Sequence, residues 1–284
     1  MSISKNIKNN LHTVINTWRL NSHIKHELTY YNQLLLIHQM GKVGSSSVYN
    51  TLKTIVDIPI YHTHFLSKEG ITYATNFFLK SGNAVPNNII LSKILRKYLH
   101  KGIRIYIITL TRDPIAREIS DYFQLGSRIY KVLSNNNLES YHEMILSEIL
   151  TKINKLKSHN HHIYNWFDNE IKNTFQVDVY NNKFDLNRGY NIISKNNISI
   201  CIIRLENLSN IFSRAISDLF DKDYHHIYLN TSNITEKKRY SDAYKYVTNN
   251  INLPYNDLNV IYNSKYALHF YEDLIPSFIE RWSQ

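Results

Sequence analysis

Between Leu34 and Tyr49 an apolar run of strand length ends at Gln39 and gives way to a loop with two glycines, a lysine and three serines. Beyond the loop, Val48, Leu52 and Ile55 recur at helical spacing. A chain patterned in this way must turn sharply from a strand into a helix. Such a junction lets backbone N–H groups and a helix N-terminus surround an anion. Gly41 and Gly44 permit the tight backbone, Lys42 offers a charge, and Ser45, Ser46 and Ser47 offer hydroxyl donors. The loop from Gly41 through Val43 to Ser47 is therefore the expected seat of a phosphate or sulfate group. The alternative is a Gly/Ser turn that binds nothing, since small-residue turns are common.

A second junction of the same kind follows about 70 residues later. Ile103 to Leu110 is rich in β-branched residues and too short for a typical helix, so it reads as a buried strand. Pro114 suits the first helical position, with Asp113 as the N-cap before it. This leaves Arg112 at the strand end, on the ligand side of an open α/β sheet. Ser120 then lies about 12 Å further along the helix axis. An arginine fork and a hydroxyl approaching from two directions can grip one phosphate. Arg117 is expected to pair with Asp121 on the helix surface, contact with a ligand being the alternative.

The interval leaves room for one strand and helix pair. Ile58 to Leu66 reads as that strand, ending in His62 and His64 on one face. Histidine suits proton transfer because its ordinary pKa is near operating pH. A metal site is the other use of His-x-His, but no further ligands stand out at tight spacing. His161, His162, His225 and His226 read as loop residues, and no metal is expected.

The order Lys42-x-Gly44-Ser45-Ser46 is not the G-x-x-x-x-G-K-[ST] loop of nucleoside triphosphatases, in which the lysine follows the second glycine. It resembles the 5′-phosphosulfate loop of sulfotransferases, which take 3′-phosphoadenosine 5′-phosphosulfate (PAPS) as donor. The segment Gln39–Val48 is especially similar to a bacterial family linked to capsular polysaccharide synthesis. The pattern Arg112-Asp-Pro-x-x-Arg117-x-x-Ser120 resembles the 3′-phosphate loop of sulfotransferases. The resemblance implies a P-loop-type α/β fold, a parallel sheet flanked by helices. It further implies that Arg112 and Ser120 hold the donor's 3′-phosphate and that His64 is the base, with His62 helping to bind the sulfuryl group or the acceptor. Lys42 would stabilise the bridging oxygen as 3′-phosphoadenosine 5′-phosphate (PAP) departs, with no metal required. A late basic loop closes over the donor in that superfamily, and by position Lys237, Lys238 or Arg239 would do so here. The acceptor implied is a carbohydrate.

The strand Ile198–Arg204 runs into Arg204-Leu-Glu-Asn-Leu208, similar to a strand end found in many sulfotransferases, with Glu206 read as structural. Tyr262–Tyr266 and Ala267–Tyr271 resemble the C-terminal signature of the capsule-linked family, with no role beyond packing. The region 130–190 matches neither pattern. Met144, Ile145, Ile149, Ile153 and Leu156 form a stripe near helical spacing, so a mainly helical insertion is expected there, carrying acceptor choice.

Length suits one domain over 1–284. The formal net charge of +10 would attract a polyanionic donor. Scattered lysines and the lack of any zinc-finger or RNA-binding signature argue against nucleic acid. The single cysteine, Cys201, sits in an apolar strand run, excludes an intrachain disulfide and fits a reducing compartment. No apolar run approaches membrane-spanning length, and the N-terminus lacks the apolar core of a signal peptide. A cytoplasmic protein is expected, associated at most peripherally with a polysaccharide assembly complex. Two other functions remain open. An ATP-dependent kinase would need a hydroxyl directly after the loop lysine and an acidic strand end, where Val43 and Arg112 stand. A non-catalytic nucleotide- or glycan-binding protein of capsule assembly would need neither a base nor an acceptor.

Overall fold

The computed structural model describes residues 2–124, 138–224, 227–230 and 240–283, without the side chains of 2–14, 16 and 138–140. A long helix, α1 (Ser2–Tyr31), leads into β1 (Gln33–His38), whose residues from Leu34 onward are buried. The chain then runs through α2 (Ser45–Leu52), β2 (Ile60–Thr63), α3 (Lys68–Lys80), α4 (Asn87–Arg96), β3 (Arg104–Thr111) and α5 (Pro114–Gln124). Two helices, rather than the expected one, thus follow β2. Ile24 and Leu28 of α1 join the core, and α1 packs against α4.

Helix α6 (Leu138–Asn154) buries Ile145, Ile149 and Ile153 of the stripe read from sequence, and Leu156 is buried in the turn that follows, but Met144 of that stripe is exposed. Helix α7 (His162–Trp166) passes into a π-helical turn, Phe167–Lys172, and one last turn, Asn173–Phe175. His162 therefore opens a helix and is not a loop residue. The helical region stops at Phe175, short of the expected 190. An irregular segment follows, and then β4 (Tyr190–Lys195). β5 (Ile198–Arg204) carries Cys201 fully buried, as its apolar surroundings predict. Five helices and helical turns close the described chain: α8 (Leu208–Phe220), α9 (Ser241–Asn250), α10 (Tyr255–Tyr262), α11 (Lys265–Tyr271) and α12 (Ile275–Trp282). None of the described helices is long and apolar enough to cross a membrane.

The sheet order is β2-β1-β3-β5-β4. The first four strands in this order are mutually parallel, while β4 pairs antiparallel with β5. The expectation of a purely parallel sheet is corrected at this edge. Only Asn196 and Asn197 separate β4 from β5, and Asn196 takes a left-handed conformation (φ 55°) that closes the hairpin. Near-continuous burial of β1, β3 and β5 follows from helices on both faces. One apolar cluster runs from Ile24 to Trp282.

Candidate functional site

β2 lies on one side of β1 and β3 on the other, so the strand order reverses at β1. Ligands of open α/β sheets bind at such a reversal, beyond the carboxyl ends of the strands. The register aligns His38 with Thr63 and Thr111 with Arg204. The loop after β1, His64 after β2, Arg112 after β3 and Leu205 after β5 therefore emerge on one edge. They surround a cavity of about 330 Å³. Gly41, Lys42, Gly44 and Ser45–Ser47 form one wall; His62, His64, Arg112 and Ser120 face it from the other strands and from α5.

The loop backbone is held in an unusual shape. Lys42 has φ +74° and Gly44 φ +90°. A left-handed non-glycine residue costs on the order of 1–3 kcal/mol and persists only where its surroundings fix it. Two arginines do so here. Arg112 Nη1 donates to Lys42 O (2.9 Å), and Arg117 Nε donates to Gly41 O (3.1 Å). The positive φ at position 44 strains any residue but glycine, and a β-carbon there would fall 2.6 Å from Leu205 Cδ1, so that side chain would have to shift. Val43, read with the anion loop, buries its side chain completely in the core. Any part it takes in ligand binding is limited to its backbone, because the turn points its isopropyl group inward.

Arg117 is not the surface charge expected. It is buried, bonded through Nη1 to Glu118, and its Nη2 lies 3.7 Å from Asp121. The pairing with Asp121 exists, but Lys152 of α6 also bridges Glu118 and Asp121, enclosing the cluster against the loop. The signal missed in sequence was Glu118 beside Arg117, which supplies the second carboxylate that makes burial of the guanidinium tolerable.

His64 Nδ1 lies 2.9 Å from Gln39 O. A carbonyl can only accept, so Nδ1 carries the proton and Nε2 keeps its lone pair. Burial first, then the charges of Lys42 and Arg117, hold the His64 pKa below its ordinary value, the bond to Gln39 O acting in the opposite sense. His62 is lowered to about 4 by burial and then by His64. The two rings meet edge to face at 4.8 Å, and His62 stacks on Tyr49 at 5.9 Å. Both imidazoles are therefore neutral near pH 7.

The turn after β3 is anchored from the C-terminal helices. Asp113 Oδ1 accepts from Ile115 N (3.1 Å), the predicted N-cap bond, and from Tyr262 Oη (2.9 Å). Its Oδ2 accepts from Trp282 Nε1 (2.9 Å), and Asp113 N donates to Glu206 Oε1 (2.8 Å). The buried Tyr266 hydroxyl accepts from Arg112 N and donates to Arg112 O, both at 2.9 Å. Tyr271 Oη donates to Thr111 Oγ1 (2.8 Å). The tyrosines of 262–271, to which sequence attached only packing, thus hold the backbone that carries Arg112. Glu206 takes the structural part expected of it.

Ser120 reaches the cavity beside Phe123 and Gln124, one turn further along α5. Phe123 lies 5.2 Å from Tyr240 and 5.3 Å from Tyr244, and the three rings form an aromatic wall that sequence had not assigned. Lys237 and Lys238, expected over the donor, lie outside the described residues, as do Arg239, His225 and His226. Among the described residues no group of three or more His, Cys, Asp or Glu side chains is placed to hold a metal ion.

Comparison with curated proteins and with solved structures found no match. A family model does match over residues 129–272, just over half of the chain. The match includes the region 130–190 that had resembled nothing, the β4–β5 hairpin and the tyrosines that anchor Arg112; it lies outside the loop at 39–48. The chain belongs to the NKWYS family, described as "Putative capsular polysaccharide synthesis protein".

Proposed function

We propose that the protein is a sulfotransferase that moves a sulfuryl group from PAPS to a hydroxyl of a carbohydrate, a capsular or other surface polysaccharide. One observation carries the reading: a glycine-serine anion loop, a second phosphate grip (Arg112 and Ser120) and a neutral histidine with its tautomer set all face one cavity at the strand-order reversal. The donor set suits a nucleotide with several negative charges. It offers hydroxyls at 45–47, the N-terminus of α2, Lys42 and Arg112, and among the described residues no carboxylate lines the cavity. The wall of Phe123, Tyr240 and Tyr244 supplies apolar surface for a base, and the volume falls in the range of small-molecule sites. The family supports the link to polysaccharide.

When bound, PAPS supplies an electrophilic sulfur and a bisphosphate leaving group. Arg112 and Ser120 hold the 3′-phosphate, and residues 44–47 face the charge on the sulfuryl oxygens. His64 Nε2 takes the proton of the attacking hydroxyl. Gln39 O keeps that nitrogen unprotonated beforehand, and burial keeps the ring neutral. Lys42 stabilises charge on the departing oxygen, and His62 borders the acceptor side of His64. Catalysis is then positioning plus electrostatics, the logic that governs phosphoryl transfer.

Calorimetric titration with PAP, with ATP–Mg²⁺ as control, tests the reading. PAP binds more tightly than ATP–Mg²⁺, and Arg112→Ala weakens PAP by about 10–100-fold, the loss of a charge-assisted bond worth about 1.5–3 kcal/mol. Preference for ATP–Mg²⁺, or no binding of either, removes the sulfotransferase reading.

A further inference from the structure

Glu170 sits in the π-helical turn Phe167–Lys172 and is almost fully buried. Such turns place one extra residue in a helix, re-aim the side chains they carry and recur at functional sites. Here the carboxylate faces inward. Its Oε2 accepts from Leu66 N (2.6 Å) and Ser67 N (2.8 Å), and its Oε1 accepts from Ser67 Oγ (2.8 Å). Oε2 also lies 3.6 Å from Nε2 of His38, the last residue of β1. Nδ1 of that ring pairs with Thr63 Oγ1 (3.0 Å), at the end of β2, and the ring packs on Trp166 and Phe175 at the two ends of the same helical segment.

Of the two strand exits between which His64 is suspended, Glu170 lies beside one without a hydrogen bond to it and is hydrogen-bonded to the other. One exit is His38, followed directly by Gln39, whose carbonyl sets the His64 tautomer. The other is Leu66–Ser67, two and three residues beyond His64. Ser67 Oγ also caps α3 by accepting from Gly70 N (2.9 Å). Position 70 is glycine at the point of closest approach, where a β-carbon would fall 2.1 Å from Glu170 Oε1. Three donors converging on one buried carboxylate, across more than 100 residues of sequence, exceed what capping α3 requires.

We propose that Glu170 is a positioning residue: by fixing Leu66 and Ser67 just beyond β2, it holds the His64 ring on Gln39 O with Nε2 presented to the cavity. It touches neither donor nor acceptor. The proposal deepens the reading of His64 as base and rests on it, but its geometry is measurable without turnover.

The test is ¹⁵N spectroscopy of the histidine rings, with His64 assigned by comparison with His64→Ala. In the parent protein His64 gives the signature of one neutral tautomer, protonated at Nδ1. Glu170→Gln keeps the shape but offers one accepting oxygen and an NH₂ to three donors. It leaves a folded protein in which His64 signals average between tautomers, while PAP affinity stays within about threefold. Ser67→Ala removes one of the three donors and produces a smaller change of the same kind. A folded Glu170→Gln protein with an unchanged His64 signature overturns the proposal. Should Glu170→Gln fail to fold, an unchanged signature in Ser67→Ala overturns it. Failure of the parent to bind PAP would remove the functional reading and leave this spectroscopic result standing by itself.

Discussion

Removing a single oxygen from Tyr266 tests whether the C-terminal helices hold the candidate site. The hydroxyl is buried and makes two hydrogen bonds to one residue, accepting from Arg112 N and donating to Arg112 O. Tyr266→Phe keeps the ring, which packs against Tyr164, Phe167, Phe270 and Tyr271. The change in free energy therefore comes from the backbone groups left behind. An unpaired buried donor costs about 1–3 kcal/mol, and the orphaned carbonyl adds a fraction of that. At about 2.1 cal/mol/K of unfolding entropy per residue, a total of about 2–3 kcal/mol corresponds to a fall in melting temperature of roughly 3–5 °C for a chain of 284 residues. Arg112 also tethers Lys42 O, so slackening its backbone loosens the anion loop, and PAP affinity falls several-fold. Differential scanning calorimetry with and without PAP reads both effects. A melting temperature within about 1 °C of the parent, with unchanged PAP affinity, would show that Arg112 is held by its own strand and that the tyrosine anchor is incidental.

Two further outcomes follow from the same geometry. His64 is a base only when neutral, and burial holds its pKa below the ordinary value of 6.5, so turnover stays on its plateau as pH falls through 6.5 and declines only below that. A pH–rate profile whose acid limb sits at or above 6.5 contradicts this environment, and His64→Ala removes the limb together with about 10²–10⁴ of the rate. Gly44→Ala meets two obstacles, a φ of +90° and Leu205 Cδ1 at 2.6 Å from the new methyl. PAP binding weakens by more than tenfold in calorimetry while the far-ultraviolet spectrum is retained; an unchanged affinity would show that the loop does not contact the ligand.

How much was legible in sequence follows from the range of the forces involved. The two strand-to-helix junctions are local: an apolar run of strand length, then Gly-x-x-Gly-Ser or Arg112-Asp113-Pro114, then helical spacing. Backbone stereochemistry and capping decide such features within a few residues. The cavity-lining residues predicted from them, from Gly41 to Ser47 apart from Val43, with His62, His64, Arg112 and Ser120, do meet across one cavity. Their convergence needed only the rule that parallel strands release their loops on one edge. The burial of the Val43 side chain was not legible, because the sequence of a loop does not say which side chain turns inward. The antiparallel edge strand β4 escaped notice because its burial is broken, with Asn191 and Ile192 half-exposed and Ser194 and Lys195 exposed, so neither strand period stands out.

What the chain alone determined is the set of groups on offer: a glycine-serine loop with a lysine, an arginine at a strand end, a histidine after the second strand, a single thiol and a basic balance. What only the tertiary structure decided is which of these groups are fixed, and by what. Arg117 became a buried tether because Glu118, Asp121 and Lys152 surround it. The tyrosines at 262, 266 and 271 became anchors of a turn some 150 residues earlier. His64 acquired one tautomer because a carbonyl 25 residues away faces Nδ1. Apart from the Arg117–Glu118 and Arg117–Asp121 pairs, these contacts join positions distant in sequence, and their strength depends on burial, since a hydrogen bond or ion pair gains its hold only where water is excluded.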